Sequence, residues 1–452
     1  MLKKAKKKTA VLLSTILLAS SFSVVAAPLA QPVEAAETKA VNPSAKAHDQ
    51  KVIARVSTER MFEDARYLAE TIGPRVTGTE GEQKAAEFIL ERLASYGYEV
   101  ETQEFGIPDK GVGHLQTSDN KEVLVTIPAG SGGTPNDGIT AGLFDAGLGK
   151  AGDFTPEAKG KIALIARGGI TFAEKVNNAI QAGAAGVLIY NNVDALAPLN
   201  PSLGGTSFDI PVGGITKESG EALLKDVAAA NKTVNFNVQL LKNVKSQNII
   251  ASRTPEKGSN HEIIYVSAHF DSVPFAPGAS DNASGTAVAL ELARVLKSYP
   301  IDKEIRFVFV GAEEIGLVGS KYYANQLNEE ELKRSLVNFN MDMVGTAWEN
   351  ATAIYMNTID GKANIATDTA LATAERIGTP SELILYQRGA SDHQSFYDVG
   401  IPAVNFIRRE PGTAALEPYY HTPLDTMKYL SAERLKEAGD LVGASIYSLI
   451  RN

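Results

Sequence analysis

The chain predicts an α/β fold, with a mostly parallel central sheet covered by helices on both faces and a β-rich domain inserted into it. Three observations predict this. From residue 246 onward, short apolar runs alternate with stretches of helical period, the rhythm of strand–helix crossovers. Those runs are apolar at nearly every position rather than every second one, as strands buried on both faces must be. Between about 112 and 245 the texture changes to brief β-like runs separated by glycine-rich turns, so a second unit interrupts the first.

In chain order, residues 1–35 have the form of a secretory signal peptide. Five lysines among the first eight residues precede an apolar stretch from Ala10 to Val25, and Val33-Glu34-Ala35 offers a cleavage site. Ser14, Ser20, Ser21 and Ser23 interrupt that stretch, which argues for export over a membrane anchor. Residues 36–50 are polar, lack a hydrophobic period and read as a disordered lead-in. Ser57 can cap a helix carrying Met61, Ala65, Leu68 and Ile72 on one face. After Gly73-Pro74 a second helix presents Ala85, Ile89, Leu93 and Tyr96. Gly97 stops it, and Tyr98 to Phe105 alternates as a strand. Segments 51–111 and 246–452 are expected to form one domain and 112–245 the inserted one.

Within the insertion, Glu122 to Ile127, Ile162 to Ala166, Gly186 to Tyr190 and Val234 to Leu241 read as strands, and Thr171 to Ala182 as a helix. Beyond it, strands are expected from Ile263 to Ala268, Ile305 to Val310, Leu336 to Met341, Ala353 to Met356 and Ala403 to Ile407. Helices are expected from Gly285 to Lys297, Ser320 to Gln326, Ala363 to Arg376 and Ala432 to Ile450. Ligands of such sheets bind beyond the carboxyl ends of the strands.

Composition narrows the chemistry. Without residues 1–35 the chain has 39 basic and 52 acidic residues, a poor match for nucleic acid or an anionic membrane. It has no cysteine, hence no disulfide, thiol nucleophile or thiolate ligand. A metal site must use carboxylates and imidazoles, the latter from His48, His114, His261, His269, His393 and His421.

Five such ligands lie at ends of apolar runs or in a loop: His269, Asp281, Glu314, Asp342 and His421. Two histidines and three carboxylates suit a pair of zinc ions. His269 follows a strand, with Asp271 placed to orient its second ring nitrogen. Asp281 sits in Gly278-Ala279-Ser280-Asp281-Asn282-Ala283-Ser284-Gly285, where an acid is ordinarily a helix cap. The small residues around it would also let a carboxylate approach two cations. Glu313-Glu314 closes an apolar strand, a costly place for two acids unless something positive compensates them. Glu314 would bind metal and Glu313 would act as general base and acid. Asp342 ends the run Asn340-Met341-Asp342. His421 stands in a loop beside Tyr420, whose hydroxyl can donate to a developing oxyanion. Each signal alone is ordinary surface, cap or loop chemistry; their joint arrival at strand ends of one sheet points to one site.

These motifs together resemble the secreted dizinc aminopeptidases, a family that also contains glutamate carboxypeptidase and the glutaminyl cyclases. The resemblance covers nearly all of residues 50–452, including Arg75-Val76-Thr77-Gly78-Thr79-Glu80-Gly81-Glu82. It implies that Asp281 bridges two zinc ions, that His269 and Asp342 complete one, and that Glu314 and His421 complete the other. It further implies Glu313 as general acid and base and Tyr420 as oxyanion donor. Ser391-Asp392-His393 resembles the family's segment near the substrate pocket, which leaves Asp392 and His393 in support of the ligands, with His393 otherwise a structural histidine. Gly168-Gly169-Ile170-Thr171-Phe172-Ala173-Glu174-Lys175 and Ala182-Gly183-Ala184-Ala185-Gly186-Val187-Leu188-Ile189-Tyr190 resemble a protease-associated domain.

The implied activity is release of N-terminal residues, aliphatic such as Leu and basic Arg or Lys, from peptides with free N-termini. The enzyme is expected to be extracellular and monomeric. The rivals are a carboxypeptidase or glutaminyl cyclase on the same scaffold, and a peptide-binding protein without catalysis. Gly147-x-Gly149-x-x-Gly152 fits a dinucleotide fingerprint only formally, since Asp153-Phe154-Thr155-Pro156 replaces the helix that must follow. Neither His-Glu-x-x-His nor Gly-x-Ser-x-Gly occurs, which sets aside thermolysin-like and serine-hydrolase sites.

Overall fold

The computed structural model describes residues 43–228, 232–258 and 261–451. The expected signal peptide and the first residues of the lead-in, 36–42, lie outside the described residues. The rest of that lead-in is not disordered as expected: helix α1 (Pro43–Ile53) occupies it. Its stabilising contacts are tertiary and leave no local period. Val52 is fully buried, Arg376 forks onto Asp49 at 2.7 and 3.0 Å, and the His48 ring packs edge-on against Tyr447.

Helix α2 (Thr58–Arg66) starts where Ser57 Oγ accepts from the Arg60 N–H, as the capping pattern predicts. Helix α3 (Glu80–Ser95) and strand β1 (Val100–Gly106) follow. The chain then leaves the first body. The insertion contains β2 (Lys110–Thr117), β3 (Glu122–Val123), β4 (Ile139–Asp145), β5 (Ile162–Ala166), β6 (Gly186–Tyr190), β7 (Val212–Ile215) and β8 (Thr233–Leu241). These form one sheet in the order β3-β2-β8-β4-β5-β6-β7. It carries two helices, the expected α4 (Phe172–Gln181) and α5 (Lys217–Ala228), which sequence periodicity did not reveal.

Strand β9 (Lys245–Arg253) returns antiparallel to β1. The Ile107 N–H donates to Val244 O at 3.0 Å, so the exit from and re-entry to the first body lie side by side. The remaining strands are β10 (Ile263–His269), β11 (Glu304–Val310), β12 (Ser335–Met341), β13 (Ala353–Thr358), β14 (Leu383–Gln387) and β15 (Ala403–Arg409). The large sheet runs β1-β9-β11-β10-β12-β15-β13-β14. Its middle, from β11 through β15, is parallel, as is β13–β14, while β1–β9, β9–β11 and β13–β15 are antiparallel.

Every residue of β10 is buried, and its alternation shows both faces covered. Ile264, Val266 and Ala268 join the core that holds α6 (Gly285–Leu296) and α11 (Ala432–Ile450). Ile263 and Tyr265 face Tyr323 of α7 (Val318–Gln326) and Phe396 of α10 (His393–Asp398). Helix α8 (Glu329–Arg334) and helix α9 (Ile365–Ile377) complete the layers. This arrangement places the carboxyl ends of β11, β10 and β12 next to one another at the usual inter-strand spacing of about 4.8 Å.

Candidate metal centre

Strand ends deliver three of the candidate ligands and turns deliver the other two. His269 is the last residue of β10, paired in register with Val310 of β11. Glu313 and Glu314 follow β11 after Ala312, and Asp342 follows β12 directly. Asp281 lies in the turn ahead of α6, whose first residue, Gly285, passes very close to β12. A Cβ at Gly285 would lie 2.2 Å from Met341 O, so only glycine lets that turn sit on the strand end. Ala312, Met343 and His421 all have left-handed backbone, with φ of 58°, 59° and 55°. Non-glycine residues in this region carry strain of about 1–3 kcal/mol, and here all three adjoin or are candidate ligands.

The side chains converge. Asp281 Oδ1 lies 3.3 Å from His269 Nε2, and its Oδ2 lies 3.0 Å from His421 Nε2. The His269 Nε2 atom is 3.6 Å from Asp342 Oδ1, and His421 Nε2 is 3.1 Å from Glu314 Oε2. Two trios result, His269–Asp281–Asp342 and Asp281–Glu314–His421, each with ligand atoms within 4.8 Å of one another. A tetrahedral zinc with bonds of about 2.0–2.2 Å separates adjacent donors by about 3.4 Å. The measured separations fit that figure with little movement. A third trio joins His269, Glu313 and Glu314, so Glu313 reaches the same place without belonging to either pair built on Asp281.

Two further features fit cations. Glu314 Oε1 and Asp342 Oδ1 are buried and have no hydrogen-bond partner, which is costly for a carboxylate unless a positive charge compensates it. Burial, reinforced by Asp281, pushes the Glu314 carboxyl up to about 7. Burial alone would raise Asp281 too, but hydrogen bonds with His269 and His421 hold it well below the ordinary range. Burial would lower His421, yet Asp281 and Glu314 lift it to about 10. Without metal, the histidines thus serve as the counter-charges that cations would otherwise supply.

Supporting residues surround this core. Asp271 sits 3.5 Å from His269 Nδ1 through Oδ1, and its carboxylate accepts from Thr77 Oγ1 and from the backbone N–H groups of Glu313 and Glu314. Arg75, fully buried, donates to the carbonyls of Phe270, Pro277 and Gly278, tying the His269 and Asp281 loops together. Asp392 is fully buried, and burial raises its carboxyl to about 7. His393 belongs to none of the ligand trios. Its Nε2–H donates to Arg388 O at 3.0 Å, and burial lowers it to about 4, as for a neutral structural ring. Tyr420 stacks on His421 with ring centroids 3.8 Å apart. Burial and then Asp281 and Glu314 raise its hydroxyl well above the usual tyrosine range, which keeps it a donor.

Sequence reasoning missed Asp425, whose two oxygens accept from the N–H groups of Ser280 and Asp281 at 2.7 and 3.0 Å. The only signal was an acid four residues after His421. It also missed Glu417, buried and accepting from Thr346 Oγ1. The site opens into a cavity whose wall also includes Met343, Ile407 and Leu416.

The metal-free protein should lose stability as pH rises from about 6.5 to 8. Glu314 is raised from 4.5 to about 7 and Asp425, by burial and Glu417, from 3.8 to about 8. The folded state therefore holds protons that the unfolded chain has released, and stability falls as they leave. The raised His421 acts in the same direction between 6.5 and about 10. His393, lowered to about 4, opposes them only below its ordinary 6.5. Melting temperatures of chelator-treated protein across this range, with and without added zinc, provide the check. The gain from zinc should be larger at pH 8 than at 6.5.

The fold and site define a metal-dependent exopeptidase on an α/β scaffold with an inserted domain, and known proteins bear this out. Residues 248–446 match peptidase family M28 and residues 121–223 match the PA domain. The chain is 50% identical over 384 residues to aminopeptidase YwaD of Bacillus subtilis strain 168, covering 85% of this chain and 83% of that relative. The solved structure of BSAP, a zinc aminopeptidase from Bacillus subtilis, superposes with a TM-score of 0.72 at 47% identity, covering 88% and 96% of the two chains. An aminopeptidase from Aneurinibacillus sp. strain AM-1 gives 0.61 at 40% identity, covering 89% and 96%.

The chain belongs to peptidase family M28 and is a zinc-dependent aminopeptidase.

Proposed function

We propose that the cavity holds two zinc ions, one bound by His269 and Asp342, the other by Glu314 and His421, with Asp281 shared. The observation carrying this is the divided carboxylate of Asp281, one oxygen facing each histidine at 3.3 and 3.0 Å. When bound, the ions supply Lewis acidity that polarises the scissile carbonyl and makes water nucleophilic near neutral pH.

The chain's own residues do the rest. Glu313 takes the proton at a carboxylate oxygen during attack and returns it to the leaving amine. Tyr420 donates its hydroxyl to the carbonyl oxygen as that oxygen becomes anionic. Asp271 fixes the His269 ring through Nδ1 and holds the Glu313–Glu314 backbone, so that both acids keep their positions. Met343, Ile407 and Leu416 provide an apolar wall for an aliphatic N-terminal side chain such as Leu. Basic N-terminal residues, Arg and Lys, enter the reading through the family resemblance.

The enzyme is read as exported and monomeric. The basic start and apolar stretch of residues 1–35 support export, and no helix among the described residues is long and apolar enough to cross a membrane. The test compares Leu-Ala-Ala with its N-acetylated form, in the presence of zinc and after chelation. Cleavage of the free peptide at its first bond, lost on acetylation and on chelation, is expected. Equal cleavage of both peptides would overturn the reading, and zinc analysis of the same samples should give two ions per chain.

A further inference from the structure

The cavity contains two arginines that the catalytic reading leaves unused, Arg388 just after β14 and Arg409 at the end of β15. Three arginines of the chain are almost wholly enclosed: Arg75, Arg408 and Arg409, at 0, 1 and 4% exposure. The first two are saturated. Arg75 donates to five backbone carbonyls. Arg408 donates to Val344 O, Ser381 Oγ and, at 2.6 Å, the Glu437 carboxylate. Arg409 makes a single side-chain hydrogen bond, from Nη1 to Ala414 O at 2.8 Å. Its Nε is buried without a partner, and among the described residues no carboxylate pairs with it.

A buried cation lacking a counter-charge is strongly disfavoured, so this guanidinium is short of one anionic acceptor. Burial disfavours its charge most and the like charge of Arg388 adds to this, while the nearest opposing carboxylate, Asp342, is itself a candidate metal ligand and makes no ion pair with it. Arg388 is exposed but its backbone is pinned. Its N–H donates to Thr358 O, and its carbonyl accepts from His393 Nε2–H. That gives the buried His393 a purpose other than the metal, since it holds the Arg388 turn in place.

We infer that Arg409 and Arg388 form a subsite for a carboxylate of the substrate, alongside the apolar wall of the same cavity. A neutral acceptor could satisfy one N–H. A carboxylate matches the guanidinium fork and cancels its charge as well. The metal-ligand candidates and both arginines line one and the same cavity, so a group bound near those ligands and one bound at the arginines can belong to one short peptide. Two sources supply that chemistry: an acidic side chain on the N-terminal residue, or the terminal carboxylate of a dipeptide. The inference rests on the aminopeptidase reading for the placement of substrate in this cavity.

The experiment uses the zinc-loaded full chain, with kcat/KM measured for two matched pairs. Glu- against Gln-4-nitroanilide tests the side chain, and Leu-Ala against Leu-Ala-amide tests the terminal carboxylate. Wild type should favour the charged member of at least one pair. Arg409→Met and Arg388→Ala should each reduce that preference, on the order of 10- to 100-fold for the buried Arg409, chiefly through KM. Arg388→Ala removes an exposed side chain and keeps the question open to measurement should Arg409→Met fail to fold. Preferences in both pairs that are unaltered by the variants would overturn the subsite, as would a wild type indifferent to charge in both. If wild type cleaves none of the four, the aminopeptidase reading has failed. The subsite is then judged by thermal shift with glutarate against glutaramide. It stands if glutarate alone raises the melting temperature and Arg388→Ala abolishes that rise, and falls otherwise.

Discussion

Glu313→Gln is expected to keep the metal and lose turnover by about 10²- to 10⁴-fold, the usual contribution of a positioned general base. The substitution preserves shape and hydrogen-bonding reach but cannot take a proton. Glu313 lies outside both trios centred on Asp281 yet within ligand distance of His269 and Glu314, which is where a proton carrier has to stand. Burial raises its carboxyl well above the ordinary range, while His269 pulls it back, so the group can hold a proton between attack and amine departure. Its neighbour provides the contrast: Glu314 Oε2 faces His421 at 3.1 Å, and Glu314→Gln should instead lower zinc content. Steady-state hydrolysis of Leu-4-nitroanilide, with zinc measured on the same preparations, separates the two. Wild-type rates in Glu313→Gln would refute its role, and normal zinc in Glu314→Gln would refute the assignment of its neighbour.

The candidate metal ligands could be read from sequence because parallel strands leave a simple trace. An unbroken apolar run followed by one acid or histidine is costly to bury, so His269, Glu314 and Asp342 stood out at the ends of β10, β11 and β12. His421 and Asp281 lie in turns and were legible only in company with the other three. What could not be read depends on contacts between distant segments. Asp425 holds the N–H groups of Ser280 and Asp281 across some 145 positions, and a loop acid gives no local hint of that. The expected strand over Ala403 to Ile407 stopped short because Arg408 and Arg409 look like its polar end. The structure carries β15 through both, since Arg408 finds Glu437 on α11 and Arg409 turns into the cavity. Helix α1 was missed for a similar reason, as its stability comes from Arg376 and from α11 rather than from its own period.

Asp281→Ala should be the most damaging substitution at the site, since it removes an acceptor from both histidines at once. His269 and His421 stand on opposite oxygens of this carboxylate. Loss of any other proposed ligand leaves one trio whole, whereas loss of Asp281 breaks both. Zinc content is expected to fall from two ions to fewer than one per chain, with kcat/KM down on the order of 10³-fold or more, as the loss of several kcal/mol of metal-assisted stabilisation requires. Asp281→Asn tests the charge separately, since the amide keeps one oxygen and should favour retention of a single ion. A purely structural role predicts something different. The backbone N–H of Asp281 is already held by Asp425, so the turn should persist in the alanine variant, with near-normal zinc if the side chain were only a cap. Metal analysis alongside far-UV circular dichroism therefore discriminates. A folded variant carrying two ions would exclude Asp281 as the shared ligand, and a folded variant carrying fewer than one would leave no other carboxylate able to span both trios.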